Sequence, residues 1–152
     1  METYKPQVKD IALFKEMAQN TVNPLEVIRE AISNAHDADA KMISIILDRN
    51  KVGKFTIEVQ DDGKGLNMND IHRFFNIGDS DKSRLSIGEK GLGTKIFFKS
   101  VKIVLQTQTR MNEAYEVIME KPWQHLDHGN LPEYTVEKVE PVTGKGGTSY
   151  VR

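Results

Sequence analysis

Glu30, Asn34 and Asp37 stand four and three residues apart in the stretch EAISNAHDADA. On a helix turning about 100° per residue they fall within an arc of roughly 60°. A carboxylate, an amide and a second carboxylate then lie in a row. Such a row suits metal–nucleotide chemistry. Magnesium takes hard oxygen ligands and keeps several waters, so one amide or carboxylate oxygen from the protein often suffices. A neutral ligand such as Asn34 adds no negative charge beside a polyphosphate. A carboxylate one turn away can orient or deprotonate a water aimed at a terminal phosphate. On the helix alone, the same row would be the solvated face of an amphipathic segment.

Two glycine patterns follow. Asp61, Gly63 and Gly65 come directly after an alternating run, KFTIEVQ. Glycine lets the backbone turn sharply and lets a flat ligand approach it closely. A buried aspartate there needs a donor, and an exocyclic amine would serve. Alone, Asp-Gly is a common turn pair. Further on, Gly88, Gly91 and Gly93 end a long polar segment just before Thr94. Glycine-rich backbone leading into a helix start offers N–H groups to phosphate oxygens. Lys90 and Lys95 could add charge there. The glycines do not sit on the first strand–helix turn of a βαβ unit, and no Gly-Lys-Ser/Thr ending is present, so the Rossmann and P-loop arrangements are disfavoured.

The elements that must position these residues can be read from the pattern. Residues 8–20 carry apolar positions compatible with a short helix. Asn23 as cap, Pro24 at the first position and Glu26 three residues after the cap predict a helix from Pro24 to about Ala38. Its Leu25, Ile28, Ile32 and Ala35 should face the core. Lys41 to Leu47 reads as a strand and Lys54 to Gln60 as its hairpin partner, joined by Asp48 to Gly53. A short helix follows over Asn67 to Asn76, with Ile71, Phe74 and Phe75 inward. Ile77 to Gly93 is a long polar loop of the kind that is usually functional or disordered. Thr94 to Ser100 reads as a short helix, then strands at 101–109, 113–121, 134–139 and 148–152. Trp123 falls in a segment, Pro122 to Pro132, read as a loop. The pattern is α/β, and the natural architecture is an α+β two-layer sandwich with helices on one face of a mixed sheet.

The ordered set is more specific than its parts. Glu30-x-x-x-Asn34-x-x-Asp37-Ala38, Asp61-x-Gly63-x-Gly65 and Gly88-x-x-Gly91-x-Gly93 together resemble the GHKL ATPase superfamily of gyrase B subunits, ninety-kilodalton heat-shock chaperones, histidine kinases and MutL proteins. The helix EAISNAHDADA looks most like the MutL and MORC branch. Gly147-Thr148 resembles the family's Gly-Thr near adenine. The resemblance implies a Bergerat fold, with a mostly antiparallel sheet, helices on one face and a flexible lid. It also implies an ATP/ADP ligand with Mg2+. Carried over, Glu30 would be the general base and Asn34 the magnesium ligand. Asp37 and Ala38 would line the base-and-ribose end. Asp61 would bind the adenine amine, directly and through a water shared with Thr148, with Gly63 and Gly65 making room for the base. Residues 77–93 would be the lid, with Gly91, Leu92, Gly93 and Thr94 at the phosphates. Lys82 and Lys90 are either phosphate contacts or solvated lid charges.

Histidine kinases of the superfamily usually carry asparagine where this chain has Glu30, so the glutamate favours slow hydrolysis acting as a conformational switch. A kinase-type phosphotransfer module and a non-catalytic ATP-binding module are the alternatives. The 152 residues fit a single domain, expected to be a piece of a longer protein. Relatives draw a phosphate-sensing cation from a following domain. Many also form ATP-dependent homodimers, a role residues 1–20 could take. A net charge of −1 predicts neither a nucleic-acid nor a membrane partner, and the absence of cysteine fits a reducing, cytoplasmic compartment.

Overall fold

The computed structural model describes residues 1–7, 11–12, 15–16, 25–49, 51–76, 97–142 and 147–151. Seven strands form one sheet: β1 (Glu2–Tyr4), β2 (Ile43–Arg49), β3 (Phe55–Asp61), β4 (Lys102–Gln108), β5 (Ala114–Glu120), β6 (Tyr134–Val139) and β7 (Gly147–Val151). Their order across the sheet is β1-β6-β5-β4-β7-β3-β2. Every described pairing is antiparallel, where a mixed, mostly antiparallel sheet was expected. Three helices lie wholly within the described residues: α1 (Leu25–Asp37), α2 (Met68–Phe75) and α3 (Pro122–Asp127).

Strand alternation decides which face is covered. Ile103, Leu105, Val117, Met119, Tyr134 and Val136 are buried on one face together with Val59. Their neighbours point the other way, where Lys102 pairs with Glu120 at 2.9 Å and Gln106 donates to Glu116 at 2.7 Å. Helix residues Val27, Ala31, Ile71, Phe74, Phe75 and Leu126 join the same core. The result is the two-layer sandwich, helices on one face. Phe75 is central. It is fully buried, stacks on Tyr134 at 4.2 Å and meets Phe74 and Phe98 edge-on.

α2 forms where the sequence supplies both halves of a capping box. Asn67 Oδ1 accepts the Asp70 N–H, and an Asp70 carboxylate oxygen accepts the Asn67 N–H. α1 ends in a Schellman motif. The Ala40 N–H reaches Ala35 O, the Asp39 N–H reaches His36 O, and Asp39 takes the left-handed conformation at φ 58. Asn23 and Pro24, expected to start α1, lie outside the described residues. So does most of the 8–20 helix, although Ile11, Ala12, Lys15 and Glu16 have helical backbone and Ile11 packs on the core.

Two expectations are corrected. The buried stripe of α1 is Val27, Ala31 and Ala35, while Leu25 and Ile32 are exposed. Small alanines let the helix approach the sheet closely, and the branched row Leu25–Ile28–Ile32 is turned to one flank. The polar row Glu30–Asn34 is thereby brought to the other flank and is half-buried. Second, residues 122–127 form helix α3 rather than loop. Pro122 at its first position is pre-set for a helix, and Leu126 anchors it in the core. The Lys99 ammonium lies 5.7 Å from the centre of the Trp123 ring. No helix among the described residues is long and apolar enough to cross a membrane.

Candidate functional site

Asp61 is the last residue of β3. By alternation it shares the helix-covered face with Val59. Its Oδ1 accepts the Gly63 N–H at 2.8 Å, which folds the following chain back on itself. The turn then docks on α1. Ala38 O, a carbonyl left over at the end of the helix, accepts the Lys64 N–H at 2.8 Å. Gly63 is buried at this junction. A Cβ there would stand 2.6 Å from Ala38 O and 2.8 Å from the Ala38 Cβ. Only glycine lets the two segments touch.

The other side of the turn docks on the sheet. Leu66 N–H donates to Thr107 Oγ1 at 2.7 Å. Gly65, at φ +73, lies so close to β4 that a Cβ would be 2.1 Å from Gln108 O. β7 completes the floor. A Cβ on Gly147 would sit 1.9 Å from Asp61 O. Thr107 also donates to Gly147 O at 3.3 Å. The backbone of Thr148 pairs with Thr107, and one step beyond the Gln60–Ser149 pair puts it level with Asp61. Three glycines therefore let α1, β4 and β7 close tightly on the turn that carries this carboxylate.

The structure thus brings together Ala38 at the end of α1, the Asp61–Gly65 turn and Gly147. Glu30 and Asn34 are half-buried on the flank of α1, and Asp37 is exposed beside His36, whose Nδ1 lies 3.9 Å from its carboxylate. Lys82, Lys90, Gly91, Leu92, Gly93 and Thr94 lie outside the described residues. Among the described residues no cluster of three or more His, Cys, Asp or Glu side chains is arranged to hold a metal.

Residues 22–145 match the family model described as Histidine kinase-, DNA gyrase B-, and HSP90-like ATPase. The chain belongs to this family. No curated protein matches it in sequence. Its domain is therefore an ATP-binding module of the GHKL type.

Three residues that shape this GHKL site escaped the sequence reading. Thr107 was legible only as a hydroxyl at an inward position of a strand, and Gln108 carries no signal because its backbone carbonyl makes the contact. Asp62, the second acid of the pair, ties the turn to the start of β2. Its Oδ1 accepts the Met42 N–H at 2.8 Å and the Lys41 N–H at 2.7 Å. Those two donors, Met42 foremost, hold its carboxyl below the usual aspartate range. A lowered folded-state pKa means the stabilisation is present above the ordinary aspartate value and is lost as pH falls through and below it. Asp62→Asn is therefore expected to lower the melting temperature at neutral pH. The gap to wild type should close on acidification from about pH 5 downward, as followed by circular dichroism. A gap independent of pH would mean that the charge plays no part.

Proposed function

We propose that this domain binds Mg-ATP in the site around Asp61 and hydrolyses it slowly, acting as an intracellular conformational switch of the MutL and MORC type within a larger protein. The observation that carries the reading is the convergence of Ala38, the Asp61–Gly65 turn and Gly147 around a single carboxylate.

In this reading each residue has one task. Asp61 accepts the exocyclic amine of adenine, directly and through a water that Thr148 would share. Its acceptor role excludes guanine, which presents a carbonyl at that position. Gly63, Gly65 and Gly147 let α1, β4 and β7 close on the turn, which fixes Asp61 in place for the base. Asp37 and Ala38 border the base-and-ribose end. Asn34 would hold magnesium, which when bound supplies positive charge to the phosphate oxygens. Glu30, one turn earlier on the same flank of α1, accepts the proton of the attacking water. Residues 77–93 act as lid, with Gly91, Leu92, Gly93 and Thr94 at the phosphates and Lys82 and Lys90 lending charge. Residues 1–20 would serve an ATP-dependent homodimer, and a following domain would supply a phosphate-sensing cation.

Calorimetry with a non-hydrolysable ATP analogue, with and without magnesium, tests the site. Asp61→Asn keeps an oxygen for the Gly63 N–H but replaces the other acceptor by a donor. The loss expected is about 1.5–3 kcal/mol of binding, or roughly 10- to 150-fold in affinity, with the melting temperature little changed. Unaltered affinity would remove adenine from this carboxylate.

A further inference from the structure

A second cleft, of about 470 Å³, opens between β1, α2 and β6. It shares no residue with the Asp61 site. One wall is aromatic: Tyr4 stacks on Tyr134 with ring centres 5.5 Å apart and meets His72 edge-on at 4.7 Å. Burial pushes the Tyr134 hydroxyl up to about 12, so it stays protonated. It lies 2.6 Å from His72 Nδ1, within hydrogen-bond distance.

The rest of the lining is rich in donors. Asn76, only 8% exposed, caps α2 and accepts the Gln7 N–H on its Oδ1 at 2.9 Å. That backbone donor fixes the orientation of the carboxamide. Its Nδ2 then carries two N–H donors with no hydrogen bond among the described residues. A buried amide donor needs an acceptor. Lys5 and Arg73 stand at the rim. Their carboxylate partners, Glu133 at 3.5 Å and Asp70 at 3.8 Å, are surface pairs that constrain them little. No aspartate or glutamate among the described residues lines the cleft.

We propose that this cleft binds a small ligand carrying an oxyanion, a phosphate or a carboxylate, which accepts from Asn76 Nδ2 and is charge-matched by Arg73 and Lys5. The partly exposed Tyr4 ring can lie against the ligand body, and the volume is in the range of small-molecule sites. Occupancy would also tie the segment after β1 to the end of α2, where Gln7 and Asn76 already meet.

The test is a nuclear magnetic resonance titration of the whole chain, saturated with ADP, reading the Asn76 side-chain amide and the His72 ring at fixed pH. Inorganic phosphate and acetate are added in separate arms, which tells a phosphate source from a carboxylate source. Saturable shifts at both residues in either arm are expected. Binding should weaken at least tenfold in Arg73→Ala and in Asn76→Asp. The latter keeps an acceptor for the Gln7 N–H while replacing the Nδ2 donors by an oxygen and adding a like charge. Absence of saturation in both arms, equal affinity in both variants, or shifts confined to the Asp61–Gly65 turn would overturn the assignment.

Discussion

Glu30→Ala is expected to lower phosphate release by about 10²- to 10⁴-fold while leaving affinity for a non-hydrolysable ATP analogue within a factor of about two. The reasoning runs from the helix. Glu30 is half-buried on the flank of α1 beside the Val27–Ala31–Ala35 stripe, so it contributes little to the core. Alanine is the best helix former, and the backbone that carries Asn34 and Ala38 is undisturbed. What is lost is a carboxylate one turn before Asn34, the only role of which in the proposed mechanism is to take a proton from water. Single-turnover measurement of phosphate release with Mg-ATP separates this step from binding. If the variant releases phosphate at the wild-type rate, another group serves as base, or none is needed.

The second large effect is structural. Gly65→Ala and Gly53→Ala place the same methyl group at nearly the same backbone angle, φ +73 and φ +78. At Gly53 nothing lies within 4 Å of the added carbon, so the cost is that of a left-handed alanine, about 1–2 kcal/mol. At Gly65 the carbon would stand 2.1 Å from Gln108 O and 2.5 Å from Gln108 C. Both contacts are main chain within a sheet and cannot rotate away. The turn must lift from β4, which breaks the Leu66–Thr107 hydrogen bond and moves Asp61. Gly65→Ala is expected to cost at least about 3 kcal/mol, in the range reserved for named core or backbone defects. It should weaken nucleotide binding as well, whereas Gly53→Ala should not. Denaturant unfolding of the pair gives the difference directly. Equal costs would mean that the turn can slide off β4 freely.

Much of this was visible in the residues. The spacing of Ile71, Phe74 and Phe75 located α2 over 67–76, and the hairpin β2–β3 was found within about two residues of its ends. The acid–glycine turn was legible because Asp61, Gly63 and Gly65 each have a residue-specific reason to be there. Other features leave no trace in local pattern. β1 is three residues long, too short for an alternation. α3 hides in a segment where proline and polar residues suggest a loop. The buried stripe of α1 could not be chosen from the wheel alone, since two apolar rows compete and the sheet selects the one with the smaller side chains. Strand order was out of reach altogether: nothing in residues 147–151 says that they fit between β3 and β4.

That placement bears on how the molecule is made. Without β7 the sheet is two separate pieces, a hairpin of β2 and β3 and an antiparallel meander of β4, β5 and β6, and only residues synthesised near the end of this stretch can splice them. Contacts between partners so distant in sequence form late and slowly. Gly147 rests on the carbonyl of Asp61, so the splice and the packing around the Asp61 turn are completed by the same event. Under the proposed function, a nascent domain that has not yet placed residues 147–151 in the gap lacks a finished seat for the nucleotide, and ligand capture marks the finished fold.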